Sequence, residues 1–113
     1  MRVQDITITK IANPLDQLAA TRLRHALRAE LQDGQTMHAL DLRELILLDS
    51  PTLAALIQAL RAVREAGGSI SLLVDQPHIL KILSITGLDR IFAIYPSVNA
   101  AAAALNVKRR KPA

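Results

Sequence analysis

Four short runs of β-branched and aliphatic residues alternate with four segments of helical period, and that order constrains the fold more than any other feature of the chain. Ile6-Thr7-Ile8-Thr9, inside an extended stretch from Val3 to Ile11, alternates in the manner of a strand. Asn13-Pro14 punctuates it. Leu15 to Gln32 then reads as a helix, with Leu15, Ala19, Leu23, Ala26, Leu27 and Leu31 on one side, and Asp33-Gly34 ends it. Met37 to Leu42 is a second strand. A helix from Pro51 to about Ala66 is expected to bury Leu53, Leu56, Ile57, Leu60 and Val63, and Gly67-Gly68 stops it with one glycine left-handed. Ser69 to Val74 is the clearest strand, expected at the centre of a sheet. Asp75-Gln76-Pro77 opens a third helix with Ile79, Leu80, Ile82 and Leu83 facing inward. Ile91 to Tyr95 is a short last strand, and Pro96-Ser97 opens a final helix over Val98 to Leu105. Strict alternation of this kind predicts an α/β layered domain with a mixed, mostly parallel sheet of four to five strands and about four helices.

At 113 residues the chain is one domain. Half of it is hydrophobic, almost entirely Ala, Leu, Ile and Val, with one Phe, one Tyr and no Trp. Such a core suits helices packed on a buried sheet. The absence of cysteine excludes disulfides, thiolate metal sites and cysteine nucleophiles, and is compatible with a reducing compartment. Met1-Arg2-Val3-Gln4-Asp5 lacks the apolar run of a signal peptide. The longest apolar runs fall far below the roughly 20 residues of a membrane span, so a cytoplasmic protein without membrane insertion is expected.

Lys108, Arg109, Arg110 and Lys111 supply four of the 14 basic residues, which leaves 10 basic against 10 acidic in the rest. The expected division is therefore a domain over residues 1–107 and a basic, disordered tail over 108–113. A neutral body without stacking aromatics gives no reason to expect direct DNA binding.

Little in the chain supports catalysis. His25, His38 and His78 share no metal-ligand spacing and are expected at surface or boundary positions. Gly34, Gly67, Gly68 and Gly87 each end a helix rather than forming a phosphate-binding loop. Ser50 lies in no Gly-x-Ser-x-Gly elbow and has no histidine close in sequence. No enzyme activity, metal or cofactor is expected. Asp16, Asp41, Asp49 and Asp75 fall at or near strand-to-helix junctions, where ligand sites of open α/β sheets form. For Asp75 a capping role is the favoured reading, and for Asp16 capping and a site role stay open.

Leu47-Leu48-Asp49-Ser50-Pro51-Thr52-Leu53 carries more. Ser50 reads as the N-cap of the second helix, with Pro51 at its first position. A hydroxyl there sits at the positive end of a helix dipole, and its phosphorylation would add about −1.5 to −2 charges at one spot. Leu40 to Leu53, with Asp49-Ser50 near its end, resembles the strand, connector and Asp-Ser-x-Gly-Leu signature of the STAS domain family. Gly67-Gly68, the segment Ile82 to Phe92 with its Thr86-Gly87-Leu88 turn, and Leu15-Asp16 resemble that family's other landmarks, from about Ile6 to Leu105. Thr52 and Ala54 stand where the family has glycines, Asn13-Pro14 replaces a glycine ahead of Leu15-Asp16, and Pro51 stiffens the turn.

The resemblance implies an anti-sigma factor antagonist that binds a serine-kinase anti-sigma factor. It also implies that phosphorylation at Ser50 switches that binding off and that a PP2C-type phosphatase resets it. Asp16, Asp49, Ser50, Pro51, Thr52 and Leu53 are the implied partner-binding residues, with Thr52 a second candidate acceptor. Two other readings stand beside it. One is a STAS accessory subunit of a lipid-trafficking ABC-type membrane transport complex, binding its ATPase. The other is a small-ligand sensor at the acidic end of the sheet. Oligomeric state stays open.

Overall fold

The computed structural model describes the backbone of residues 1–110 and the side chains of residues 1–105. The extended stretch at the N-terminus is two strands rather than one. β1 (Arg2–Val3) turns back onto β2 (Ile6–Lys10), with Arg2 opposite Thr7 and Val3 opposite Ile6 in an antiparallel pair. Gln4 and Asp5 form the loop with φ of 51° and 70°, the two positive values of a tight hairpin turn. Neither residue is glycine, so the usual sequence signal for such a turn is missing.

The remaining elements follow in the expected order: α1 (Gln17–Gln32), β3 (Met37–Asp41), α2 (Ser50–Glu65), β4 (Ser69–Leu73), α3 (Pro77–Ile85), β5 (Ala93–Tyr95) and α4 (Val98–Arg110). A 3₁₀ turn at Leu88–Arg90 follows Gly87, which is left-handed with φ 78°. The sheet order is β1-β2-β3-β4-β5, and β2 through β5 run parallel. β4 lies inside the sheet, between β3 and β5. The mixed, mostly parallel sheet and four helices match the sequence expectation.

Period-2 alternation gives the sheet two buried faces. On one, Ile6, Ile8, Ala39 and Leu73 pack with Ala101 and Ala102 of α4. On the other, Leu40, Leu42, Leu72 and Val74 pack with Leu23 and Leu27 of α1, Leu56, Leu60 and Val63 of α2, and Ile79 and Leu83 of α3. Each such leucine or isoleucine, once buried, contributes about 1.5–3 kcal/mol. Leu80, expected inward, is instead 39% exposed. Ile79 and Leu83 already form the i, i+4 stripe of α3, and residue 80 falls a further 100° round the helix.

One further expectation needs correction, at the end of the last helix. α4 continues to Arg110 rather than stopping at Leu105, so it crosses the expected boundary at residue 107. Five consecutive alanines favour helix, and no glycine or proline intervenes before Pro112. The remainder of the expected tail, residues 111–113, lies outside the described residues. At the α2–β4 turn Gly67 is the left-handed glycine, with φ 76°, whereas Gly68 is required because a Cβ there would collide with the Thr36 carbonyl.

His38 is buried rather than at the surface, because it occupies an inward position of β3 between Thr7 of β2 and Ile70 of β4. Its Nε2 donates to the Gln35 carbonyl at 2.6 Å, while its Nδ1 and the neighbouring Thr7 Oγ1 are buried without partners among the described residues. Desolvation holds the imidazole below its usual pKa of 6.5, against the smaller opposing pulls of the Gln35 bond and Glu30. A folded-state pKa below the unfolded one means that the unfolded chain takes up the proton first as pH falls. Stability is therefore expected to decline as pH drops below about 6.5. Urea unfolding between pH 7.5 and 5 measures this, and His38→Val should flatten the slope in that window. An unchanged slope in the variant would assign the titration to another group.

Candidate functional site

Three chain segments meet beyond the carboxyl ends of the parallel strands, where open α/β sheets place their sites. They are the β2–α1 loop, the connector from Leu42 to Asp49, and the start of α3. The connector is irregular, so its backbone polar groups need partners outside any ladder. Leu42, Leu45 and Leu48 anchor it by burial. Gln76 Nε2 donates to the carbonyls of Leu42 and Leu45 at 2.8 and 2.9 Å. Asn13 Oδ1 accepts from the Ile46 and Leu47 amides at 2.8 and 3.2 Å, and its Nδ2 donates to the Leu47 carbonyl at 3.1 Å. His78 Nε2 donates to the Ile46 carbonyl at 2.8 Å.

The connector delivers the chain into α2, and here the sequence expectation shifts by one residue. The N-cap is Asp49, not Ser50. Asp49 has extended backbone angles, and its Oδ1 accepts from the Thr52 amide at 3.0 Å and from the Thr52 hydroxyl at 2.6 Å. A carboxylate at that point gains from the helix dipole as well as from the bonds, so it outcompetes the neighbouring hydroxyl. The Thr52 hydroxyl first, and then the Thr52 amide, hold the Asp49 carboxyl below its usual pKa.

Ser50 consequently becomes the first residue of the helix. It is exposed, and its hydroxyl makes no hydrogen bond among the described residues. Pro51 occupies the next position, also exposed, where a missing N–H costs nothing because the first amides of a helix lack intrahelical partners. Thr52 is fully buried and its hydroxyl donates to Asp49, unlike the exposed hydroxyl of Ser50. Leu53 packs half-buried against the core.

Asp16 is the N-cap of α1, its Oδ1 accepting from the Ala19 amide at 2.8 Å. It is exposed. Asn13, three residues earlier, is bonded to the connector, so both helix starts share one end of the sheet. Asp41 is buried and engaged by Arg43, with Nε to Oδ1 at 2.9 Å and Nη2 to Oδ2 at 3.0 Å. The Arg43 bonds hold the Asp41 carboxyl below the ordinary range and raise the pKa of the guanidinium in return. Asp75 does not cap α3, contrary to expectation: that helix starts at Pro77 behind Gln76, and the Gln76 side chain turns back to accept from the Asp75 amide. No group of acidic or histidine side chains among the described residues could hold a metal ion.

Residues 2–101 match the STAS domain family. The chain belongs to that family. A relative from Thermotoga neapolitana, described as an anti-sigma factor antagonist homologous to TM1081, is 32% identical over 71 residues, 63% of each chain. BtrV of Bordetella bronchiseptica, described as an anti-sigma factor antagonist, is 26% identical over 91% of this STAS protein and 89% of its own length. The NMR structure of TM1081 superimposes with a TM-score of 0.81 at 27% identity, over 98% of this chain and 87% of that one. The phosphorylated form of the Bacillus cell fate determinant SpoIIAA shares the fold, with a TM-score of 0.69 at 18% identity over 92% and 95%. No described helix of this STAS domain is long and apolar enough to cross a membrane.

The clamp residues Asn13, Gln76 and His78, and the exposed Ile46 and Leu47, escaped sequence reasoning. Asn13-Pro14 and Gln76-Pro77 read only as punctuation, and their partners lie 31 to 34 positions away. The stability of the α2 start gives a direct check. Asp49→Ala should lower the urea midpoint, Ser50→Ala should leave it in place, and Thr52→Val should cost about 1 kcal/mol. A double-mutant cycle should find Asp49 and Thr52 coupled. Destabilisation by Ser50→Ala instead would return the cap to Ser50.

Proposed function

We propose that this STAS domain protein is an anti-sigma factor antagonist, a regulatory binding protein without enzymatic activity, switched off by phosphorylation at Ser50. The observation that carries this reading is the division of labour between Asp49 and Ser50. Asp49 holds the helix, so the Ser50 hydroxyl is left exposed and free of structural duty. Relatives described as anti-sigma factor antagonists support the general role.

A phosphate on Ser50 suits the local physics. The first amides of α2 and its dipole favour negative charge, so the modified helix stays folded. The change is therefore one of surface. A group bearing about −1.5 to −2 charges appears beside Asp49, and a partner docking there would have to strip its water. A differential of a few kcal/mol is enough to redirect a partner. Asp16, Asp49, Ser50, Pro51 and Leu53 would face that partner, a serine-kinase anti-sigma factor, with Thr52 supporting the turn from beneath. A PP2C-type phosphatase would restore the hydroxyl, and the cycle would run in the cytoplasm.

The test is affinity for the host's serine-kinase anti-sigma factors, each purified and titrated singly. Wild type and Ser50→Ala should bind one of them equally, and Ser50→Asp should bind at least about tenfold more weakly, with unchanged melting temperature. Equal binding by all three would reduce Ser50 to an ordinary helix residue. Stable co-purification of all three with a transporter ATPase would establish the accessory-subunit role instead.

A further inference from the structure

The connector between β3 and α2 holds two large aliphatic side chains in water. Ile46 is 77% exposed and Leu47 is 49% exposed. Isolated exposed aliphatics are ordinary, but this pair sits on irregular backbone with little freedom to fold them inward. Both Ile46 backbone groups are bonded, the amide to Asn13 and the carbonyl to His78, and both Leu47 groups are bonded to Asn13. Gln76 fixes the preceding turn through two further bonds, and the flanking Leu45 and Leu48 are buried. Three polar side chains thus hold the backbone so that Leu45 and Leu48 fill the core while the two residues between them, Ile46 and Leu47, project.

The charges round this pair are uneven. Asp41 is neutralised by Arg43, and Glu44 lies 3.4 Å from Lys10. Asp16, Asp49 and Asp75 have no cation within ion-pair distance among the described residues, which leaves an excess of three negative charges on the segments that border the connector.

We propose that Ile46 and Leu47 are preorganised anchors for a protein partner whose surface offers an apolar cleft with basic groups at its rim facing Asp16 and Asp75. The partner is the anti-sigma factor, so the proposal rests on the antagonist reading and specifies what that partner must look like. Binding energy in protein interfaces concentrates in a few well-packed apolar or aromatic anchors surrounded by a polar rim. Anchors already held in place lose little freedom on docking. Ser50 follows Leu47 by three residues, so a phosphate there stands beside the apolar floor of the cleft, where its dehydration is most costly. The clamp makes Asn13 a positioning residue that never touches the partner.

The experiment uses the same purified anti-sigma factors. Ile46→Ser combined with Leu47→Ser should raise Kd by about thirtyfold while leaving the protein folded with a melting temperature close to wild type, since neither side chain belongs to the buried core. Ile46→Val with Leu47 intact should retain most of the affinity. Asn13→Ala should weaken binding with slower association, because the anchors must then be ordered on docking. Raising salt from roughly 0.05 to 0.5 M should weaken wild-type binding through the acidic rim. If wild type binds and Ser50→Asp does not, yet the double serine variant binds as wild type does, the anchors are misassigned while the antagonist reading stands. If wild type binds none of the anti-sigma factors, both fall together.

Discussion

The hydrogen bonds from Thr52 to Asp49 set the start of α2, and much of the functional surface follows from them. A helix beginning with four unpaired amides needs an acceptor. Asp49 supplies a carboxylate that takes the Thr52 amide and hydroxyl together. With the cap placed there, Thr52 is drawn into the core and Pro51 lies outside it. Ser50 faces water with a hydroxyl that nothing else in the described structure uses. Had Ser50 been the cap, the modified group would itself have been the acceptor for the helix amides, so phosphorylation would have altered the cap as well as the surface. Capping by the neighbouring aspartate separates the two.

The same economy appears one step upstream. A strand entering a helix through eight irregular residues would ordinarily be a mobile loop. Here the connector is fastened from both sides, by Asn13 at the mouth of α1 and by Gln76 and His78 at the mouth of α3. Those residues sit on neighbouring strands' exits because the sheet runs in the order β2-β3-β4 with all three strands parallel. Parallel topology is therefore what brings three helix starts to one edge. It also gathers Asp16, Asp49 and Asp75 there, since helix starts attract acidic and amide side chains. The acidic rim is in this sense a by-product of the fold that a binding surface can use.

Hydrophobic periodicity made the architecture legible. Alternation in Ile6–Thr9 and Ser69–Val74, and the Leu23–Leu27 and Leu56–Leu60–Val63 stripes, specify which faces are buried wherever a period of 2 or 3.6 dominates. What periodicity does not reach was missed. The Gln4-Asp5 hairpin lacks a glycine, so its positive φ values leave no mark in composition. Asp49 and Ser50 rank close together as caps by residue type, and the helix dipole and the two Thr52 bonds to the Asp49 carboxylate decide between them. His38 is a polar residue at an inward position of a strand whose neighbours are apolar, and its burial follows from pairing with β2 and β4. The clamp on the connector joins residues more than 30 positions apart, which no local pattern reports.

In the proposed switch, Ser50 carries a chemical signal without carrying the fold. Incubating the protein with the host's serine-kinase anti-sigma factor and ATP, then locating the phosphate by mass spectrometry and recording amide NMR spectra of the product, tests it most directly. A single phosphate on Ser50 is expected, with shifts confined to the start of α2 and the adjoining loops and the rest of the spectrum in place. A phosphate at another residue, or loss of dispersion across α2 and the sheet on modification of Ser50, would contradict it.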